Sequence, residues 1–275
     1  MSNRKKWCFQ IPLQPEFKMK TAYYIEKREF DQRRNKSCLY YQFKCNSISN
    51  TMLVIPDGCI DILFTCVQQA PYGKVCGSVL RSKEIQLTPG AEYFGVRFPL
   101  GGEALKWNCS MKEIVECEMP TKDILSLDDP AQQLANLPSF EGRIQQFQET
   151  IGPLFLNEDR CSSIVMNALY HIHLSKGNIT INDLAQQSGF STRYIRKQFE
   201  HAIGISPKLF SQIVRFQCSL SMFMNDKNYS IWDIIEESGY YDQAHLINEY
   251  KKFSYYSPKQ LMDTVTKGES IGYIT

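Results

Sequence analysis

The spacing of apolar positions changes near residue 120. Before it, apolar residues come in short runs at 39–43, 51–55, 60–64 and 94–98. These runs are rich in β-branched and aromatic residues and predict strands. Turn signals fall between them at Pro56-Asp57-Gly58, Pro71-Tyr72-Gly73, Pro89-Gly90 and Gly101-Gly102. Many short strands with regular turns predict a sandwich or small barrel. After residue 120 the spacing is helical. It predicts helices over 123–134, over 140–156 with the stripe Ile144, Phe147, Ile151 and Leu154, and over 159–175 with Ile164, Leu169, Ile172 and Leu174 available for packing. Such a segment suits a connector, a dimer interface or a lid on the β-rich half; the spacing leaves these open.

The last hundred residues contain one pattern twice. The first copy reads Leu184-Ala185, Gly189-Phe190-Ser191, Tyr194-Ile195, Phe199 and Ser206-Pro207. The second reads Ile234-Ile235, Gly239-Tyr240, His245-Leu246, Tyr250 and Ser257-Pro258. The offset is 50 residues up to the glycine and 51 after it, so the second copy has one extra residue in its turn. Helix, glycine turn and a second helix with an aromatic anchor describe a helix-turn-helix. Thr180 or Asn182, Ser191, Ser230 and Asp242 are placed to cap the four helices. Gly189 and Gly239 supply the turns, where a positive φ is required. Pro207 opens a long helix over 208–224 that joins the two units.

In the first unit Tyr194, Ile195 and Phe199 are assigned to the core. Ser191, Thr192, Arg193, Arg196 and Lys197 are left outside, and cations on the exposed face of such a helix suit phosphate and guanine contacts. A solvated helix face is the plainer alternative. In the second unit the outward set is Gln243, Ala244, Ile247 and Asn248, with Lys251 near the backbone; Gln and Asn match adenine. His245 aligns with Tyr194 and reads as a packing residue. Arg215 on the joining helix suits either a phosphate or an internal salt bridge.

Composition changes this picture little. The chain has 275 residues, 43% hydrophobic and 22% charged, with a net charge of +2. Residues 161–261 hold ten Lys and Arg against eight Asp and Glu, the same +2. A strongly basic nucleic-acid domain is therefore excluded, and local placement of charge must do the work. No apolar stretch follows Arg4, Lys5 and Lys6, and the apolar run 52–67 is broken by Pro56, Asp57, Gly58 and Asp61. Neither a secretion signal nor a membrane span is predicted. The ten cysteines form no CxxC pair. Reduced thiols in a cytoplasmic protein are the expectation. Cys59, Cys66 and Cys76 lie in one β region, which leaves a thiol-based sensor as an alternative.

Residues 179–261 resemble the DNA-binding domain of AraC/XylS-type bacterial transcription regulators. The likeness is carried by the repeated residues above together with Gly204-Ile205, Arg215, Ile231, Ile234, Asp242-Gln243 and Lys251-Lys252. It implies two helix-turn-helix subdomains on a long helix, entering successive major-groove segments at a promoter. Three positions depart from the pattern: Tyr255 replaces a usual glycine, Ile235 a usual alanine and Asn248 a common arginine. The first unit is thus expected to carry most of the specificity. More weakly, Pro56 to Asp61 and Gly95 to Phe98 with Gly101-Gly102 resemble the cupin-like β-roll that accompanies one branch of the family.

The expected fold class is α+β: a cupin-like regulatory domain over 1–120, a helical connector over 121–176 and the DNA-binding domain over 177–275. The partners implied are double-stranded promoter DNA, RNA polymerase, a small-molecule effector and a second copy of the chain. Arg97 is the candidate effector contact; pairing with Asp57 or Asp61 is its structural alternative, and the favoured one. An enzyme is not expected. Metal cupins need histidines, and the only four, His171, His173, His201 and His245, lie in the helical half. No metal site or cofactor is expected. The alternative function is a ligand-binding or interaction module that keeps the helix-turn-helix fold.

Overall fold

The computed structural model describes residues 12–31, 36–47, 50–101, 108–125, 130–154, 162–225 and 230–267. Gly102, Cys8, Cys161 and the expected helix start at 159–161 lie outside the described residues.

A short helix, α1 (Pro15–Met19), leads into strands β1 (Thr21–Asp31), β2 (Lys36–Cys45), β3 (Thr51–Val54), β4 (Cys59–Thr65), β5 (Tyr72–Cys76), β6 (Lys83–Gln86) and β7 (Glu92–Pro99). Helix α2 (Met111–Ile114) and strand β8 (Glu118–Pro120) follow. Six strands form an antiparallel sheet in the order β1-β2-β7-β4-β5-β8, and β3 pairs with β6 in a separate ribbon. The roll thus consists of a sheet and a ribbon, with apolar cores on both sheet faces. Leu39, Tyr41, Phe43, Leu63 and Tyr93 share one core with Phe17 and Met52. Tyr40, Ile62, Phe64, Phe94, Val96 and Phe98 share the other with helical residues. Successive strand residues point to opposite faces, so a sheet covered on both sides reads as continuous apolar runs.

Gly73 lies inside β5 and not in the expected turn. A Cβ there would come within 2.6 Å of Thr121 Oγ1 and 2.8 Å of the Phe64 ring. Its glycine thus serves close packing. The expected turns at Gly58, Gly90 and Gly101 are present, each with positive φ.

The segment after residue 120 divides. Helices α3 (Thr121–Ile124), α4 (Ala131–Ala135) and α5 (Phe140–Thr150) precede a 3-10 turn at Gly152–Leu154. The expected single helix over 123–134 is not formed, because Leu125 has extended backbone at φ −101° and ψ 130°. On α5, Phe147 meets Tyr40, Phe64, Phe94 and Phe98 at ring distances of 5.9–6.4 Å. Helix α6 (Ser163–Leu174) packs instead on the C-terminal helices. Its Leu169 and Ile172 are buried, whereas Leu174, expected to pack, is 66% exposed; two residues beyond Ile172, it points the other way.

Helices α7 (Ile181–Ser188), α8 (Thr192–Ile203), α9 (Pro207–Asn225), α10 (Ile231–Ser238), α11 (Gln243–Ser254) and α12 (Pro258–Lys267) complete the chain. One apolar cluster runs from the sheet through Leu100, Leu169 and Ile203 into these helices. Polar contacts join the same parts. Gln217 on α9 accepts from Leu13 N–H at 2.9 Å and donates to the carbonyl of Pro56 at 2.8 Å. Ser82 Oγ donates to the carbonyl of Phe253.

Candidate nucleic-acid interface

Each helix-turn-helix begins with the caps its sequence predicts. Thr180 caps α7 and Ser230 caps α10, each in a reciprocal box with the acid three residues on, Asp183 or Asp233. Gly189 (φ 74°) and Gly239 (φ 67°) end these helices in the left-handed conformation. Ser191 and Asp242 then accept the backbone N–H of Tyr194 (3.3 Å) and His245 (2.7 Å), starting α8 and α11.

Helix α8 buries Ile195, Phe199 and Ile203. Ser191, Arg193, Arg196 and Lys197 are exposed beside it, and Thr192 is half-buried. Among the described residues no ion pair engages these three cations. Tyr194 was expected in the core, yet it is 42% exposed and packs on Phe190 at 5.4 Å. The buried stripe runs through Ile195, Phe199 and Ile203 at i, i+4 and i+8, and Tyr194 sits a step off it.

Helix α11 buries Leu246, Glu249, Tyr250, Phe253 and Ser254. Gln243, Ala244, Asn248 and Lys251 are exposed and Ile247 is half-buried. The inserted turn residue is Tyr241, 91% exposed; its N–H donates to His245 Nδ1 at 3.3 Å. The charge around this helix differs from that of α8. Asp233, Glu236, Glu237 and Asp242 are exposed against Lys251 and Lys252. Glu237 pairs with Lys176 at 2.9 Å, and Lys252 donates to Gln212 at 3.0 Å. Cations able to neutralise phosphates are thus concentrated on α8.

Arg215, left open between a phosphate and an internal partner, is committed to Glu249. Glu249 was not singled out in the sequence, although a carboxylate at a buried position of a helix requires a partner.

The β half holds a second polar cluster. Arg97 Nε donates to Asp61 at 3.0 and 3.2 Å, Nη1 lies 3.6 Å from Asp57, and Tyr41 donates to Asp61 at 2.7 Å. Burial raises Asp61 despite Arg97 beside it. The three thiols considered for sensing are also raised by burial: Cys66 to about 11, Cys76 to about 12 and Cys59 well above its usual value. A sensing thiol needs a stabilised thiolate, and these sites disfavour it.

Comparison with known proteins agrees with the repeated unit. Residues 184–264 match a family model described as a helix-turn-helix domain. The chain carries an AraC-type, DNA-binding helix-turn-helix domain, the module of a transcription regulator. No curated protein matches the sequence. The C-terminal domain of AraT, a response regulator from Geobacillus stearothermophilus, is similar at 24% identity over 42% of this chain and 93% of that one, with a TM-score of 0.36. An apo form of ToxT from Vibrio cholerae, carrying a single substitution, is similar at 11% identity over 88% of this chain and 97% of that one, with a TM-score of 0.42. ToxT bound to an unsaturated fatty acid is similar at 13% identity over 89% and 95%, with a TM-score of 0.40. Within the matched residues α8 and α11 are the second helices of the two units, and α9 joins them. Among the described residues no helix is long and apolar enough to cross a membrane.

Proposed function

We propose that the chain is a cytoplasmic transcription regulator that reads promoter DNA chiefly through α8, with residues 177–275 as the reading domain. Arg193, Arg196 and Lys197 meet guanine edges and phosphates, and Ser191 and Thr192 approach the backbone at the helix start. Gln243 and Asn248 on α11 suit adenine, Ala244 and Ile247 suit thymine methyl groups, and Lys251 suits a phosphate. The observation that carries this reading is the pairing of three exposed cations with a buried apolar stripe on one recognition helix. The acidic surroundings of α11 support the unequal division between the units.

The β-roll over 1–120 and the helices over 121–176 are then the regulatory part. Arg97 is assigned to holding the roll together, since an anionic effector would have to displace Asp61 and Asp57 from it. RNA polymerase and a second copy of the chain are the further partners this reading calls for. Neither a cofactor nor catalysis enters it.

Arg196→Ala provides the test. On a DNA site selected by the wild-type chain, loss of a bidentate guanine contact is expected to cost about 1–3 kcal/mol and to relax preference at one base pair. Unchanged affinity and preference in a titration would remove Arg196 from the interface.

A further inference from the structure

The two helix-turn-helix units follow one template but are fastened differently. The positions held by Phe190, Gln198 and Phe199 in the first are held by Tyr240, Glu249 and Tyr250 in the second. All three of the latter are buried. Glu249 accepts two bonds from Arg215 on α9: Nε to Oε1 at 3.0 Å and Nη2 to Oε2 at 2.5 Å. The Tyr240 hydroxyl donates to the same Oε1 at 2.9 Å, and its ring lies 4.9 Å from the Arg215 guanidinium. One turn along α9, Ser219 Oγ is 3.0 Å from the Tyr250 hydroxyl and 3.4 Å from that of Tyr240.

Arg215 and Ser219, at i and i+4, therefore grip Glu249 and Tyr250, which are adjacent on α11. Tyr240 ties the preceding turn to the same point. Apolar contact is non-directional and tolerates small rotations of a helix. A two-bond guanidinium–carboxylate pair fixes both distance and plane. Such a buried pair adds little net stability, because desolvation offsets the attraction. What it adds here is orientation. At 3.6 residues per turn, Gln243, Ala244, Ile247 and Lys251 lie across α11 from Glu249. A rotation of about 20° would move side-chain tips at a radius of about 5 Å by roughly 2 Å. That displacement is enough to break a hydrogen bond to a base edge.

We infer that Arg215 and Glu249 are positioning residues that set the rotation of α11 on α9, and with it the base preference of the second recognition helix. The inference rests on the DNA-reading function proposed above.

The test is pooled-oligonucleotide selection with four chains: wild type, an Arg193→Ala/Arg196→Ala/Lys197→Ala triple variant, Glu249→Gln, and the paired apolar variant Arg215→Met/Glu249→Leu. Thermal melting is followed for each. The half-site lost in the triple variant belongs to α8 and the remaining one to α11. Both Glu249→Gln and the paired variant are expected to lose preference at the α11 half-site by about tenfold, a bidentate contact's worth, while the α8 half-site is unchanged. A folded paired variant that selects both half-sites as the wild type does would overturn the inference and leave the DNA reading intact. So would two variants that merely fail to fold, since the pair would then serve stability. A wild-type chain that selects no sequence would defeat the DNA reading itself, and this inference with it.

Discussion

Arg97, Arg215 and Arg196 show what decides the role of an arginine. Arg97 and Arg215 lie against carboxylates and are committed to them, whereas Arg196 stands in solvent on a recognition helix. The sequence allowed a ligand or a salt bridge for the first two, because a partner distant along the chain leaves no local mark. Asp61 pairs with Arg97 across neighbouring strands, and Glu249 meets Arg215 between two helices. The cations of α8 were legible because their placement follows from helix period alone. His173, on α6, packs edge-on against Phe210 at 5.7 Å. Burial lowers it from 6.5 to about 4. As pH falls through this window the unfolded chain takes up the proton first, so stability is lost; above the window nothing is lost. The loss should amount to at most about 3 kcal/mol by pH 4. Denaturant titrations between pH 7 and 4 are expected to show a flatter profile for His173→Gln than for the wild type. Equal slopes would contradict the assignment.

Among the elements, those governed by caps and apolar stripes were the legible ones. The four helices of the tandem units begin at the predicted caps, and Ile144, Phe147 and Ile151 are buried as their spacing requires. Strand β1 leaves a weaker mark: it is a polar-rich edge strand that, among the described residues, pairs with β2 alone, and its alternation is correspondingly weak. Strand β5 was hidden by the glycine that its packing needs. The departure at Tyr255 has a local consequence. The first recognition helix ends at Gly204 with φ 85°, and the second ends at Tyr255 with φ 62°. A residue with a Cβ pays about 1–2 kcal/mol there, and glycine's greater unfolded-state freedom returns about half of that. Tyr255, 62% exposed, makes a clean test. Tyr255→Gly is expected to raise stability by about 0.5–1 kcal/mol in chemical denaturation. A loss of stability would mean that the tyrosine ring itself anchors the end of α11.

At the scale of the whole molecule, the reading domain is seated on the β-roll. Gln217 is the polar centre of that seat, joined to Leu13 and Pro56. Gln217→Ala leaves those backbone groups without their partner and is expected to lower stability by about 1–3 kcal/mol. A change within about 0.5 kcal/mol, as for an ordinary surface site, would show that water replaces the side chain. In the function proposed above, this seated domain reads DNA through α8. The most direct measurement is the salt dependence of binding to a selected site, for the wild type and the Arg193→Ala/Arg196→Ala/Lys197→Ala variant. Each phosphate neutralised by a cation contributes about 0.9 to the slope of log affinity against log salt. Sequence-selective wild-type binding is predicted, with a slope that falls by about 1–3 in the variant. Equal slopes and affinities for the two chains, on selected and unrelated DNA alike, would contradict it and point to a domain that keeps the fold for contacts other than DNA.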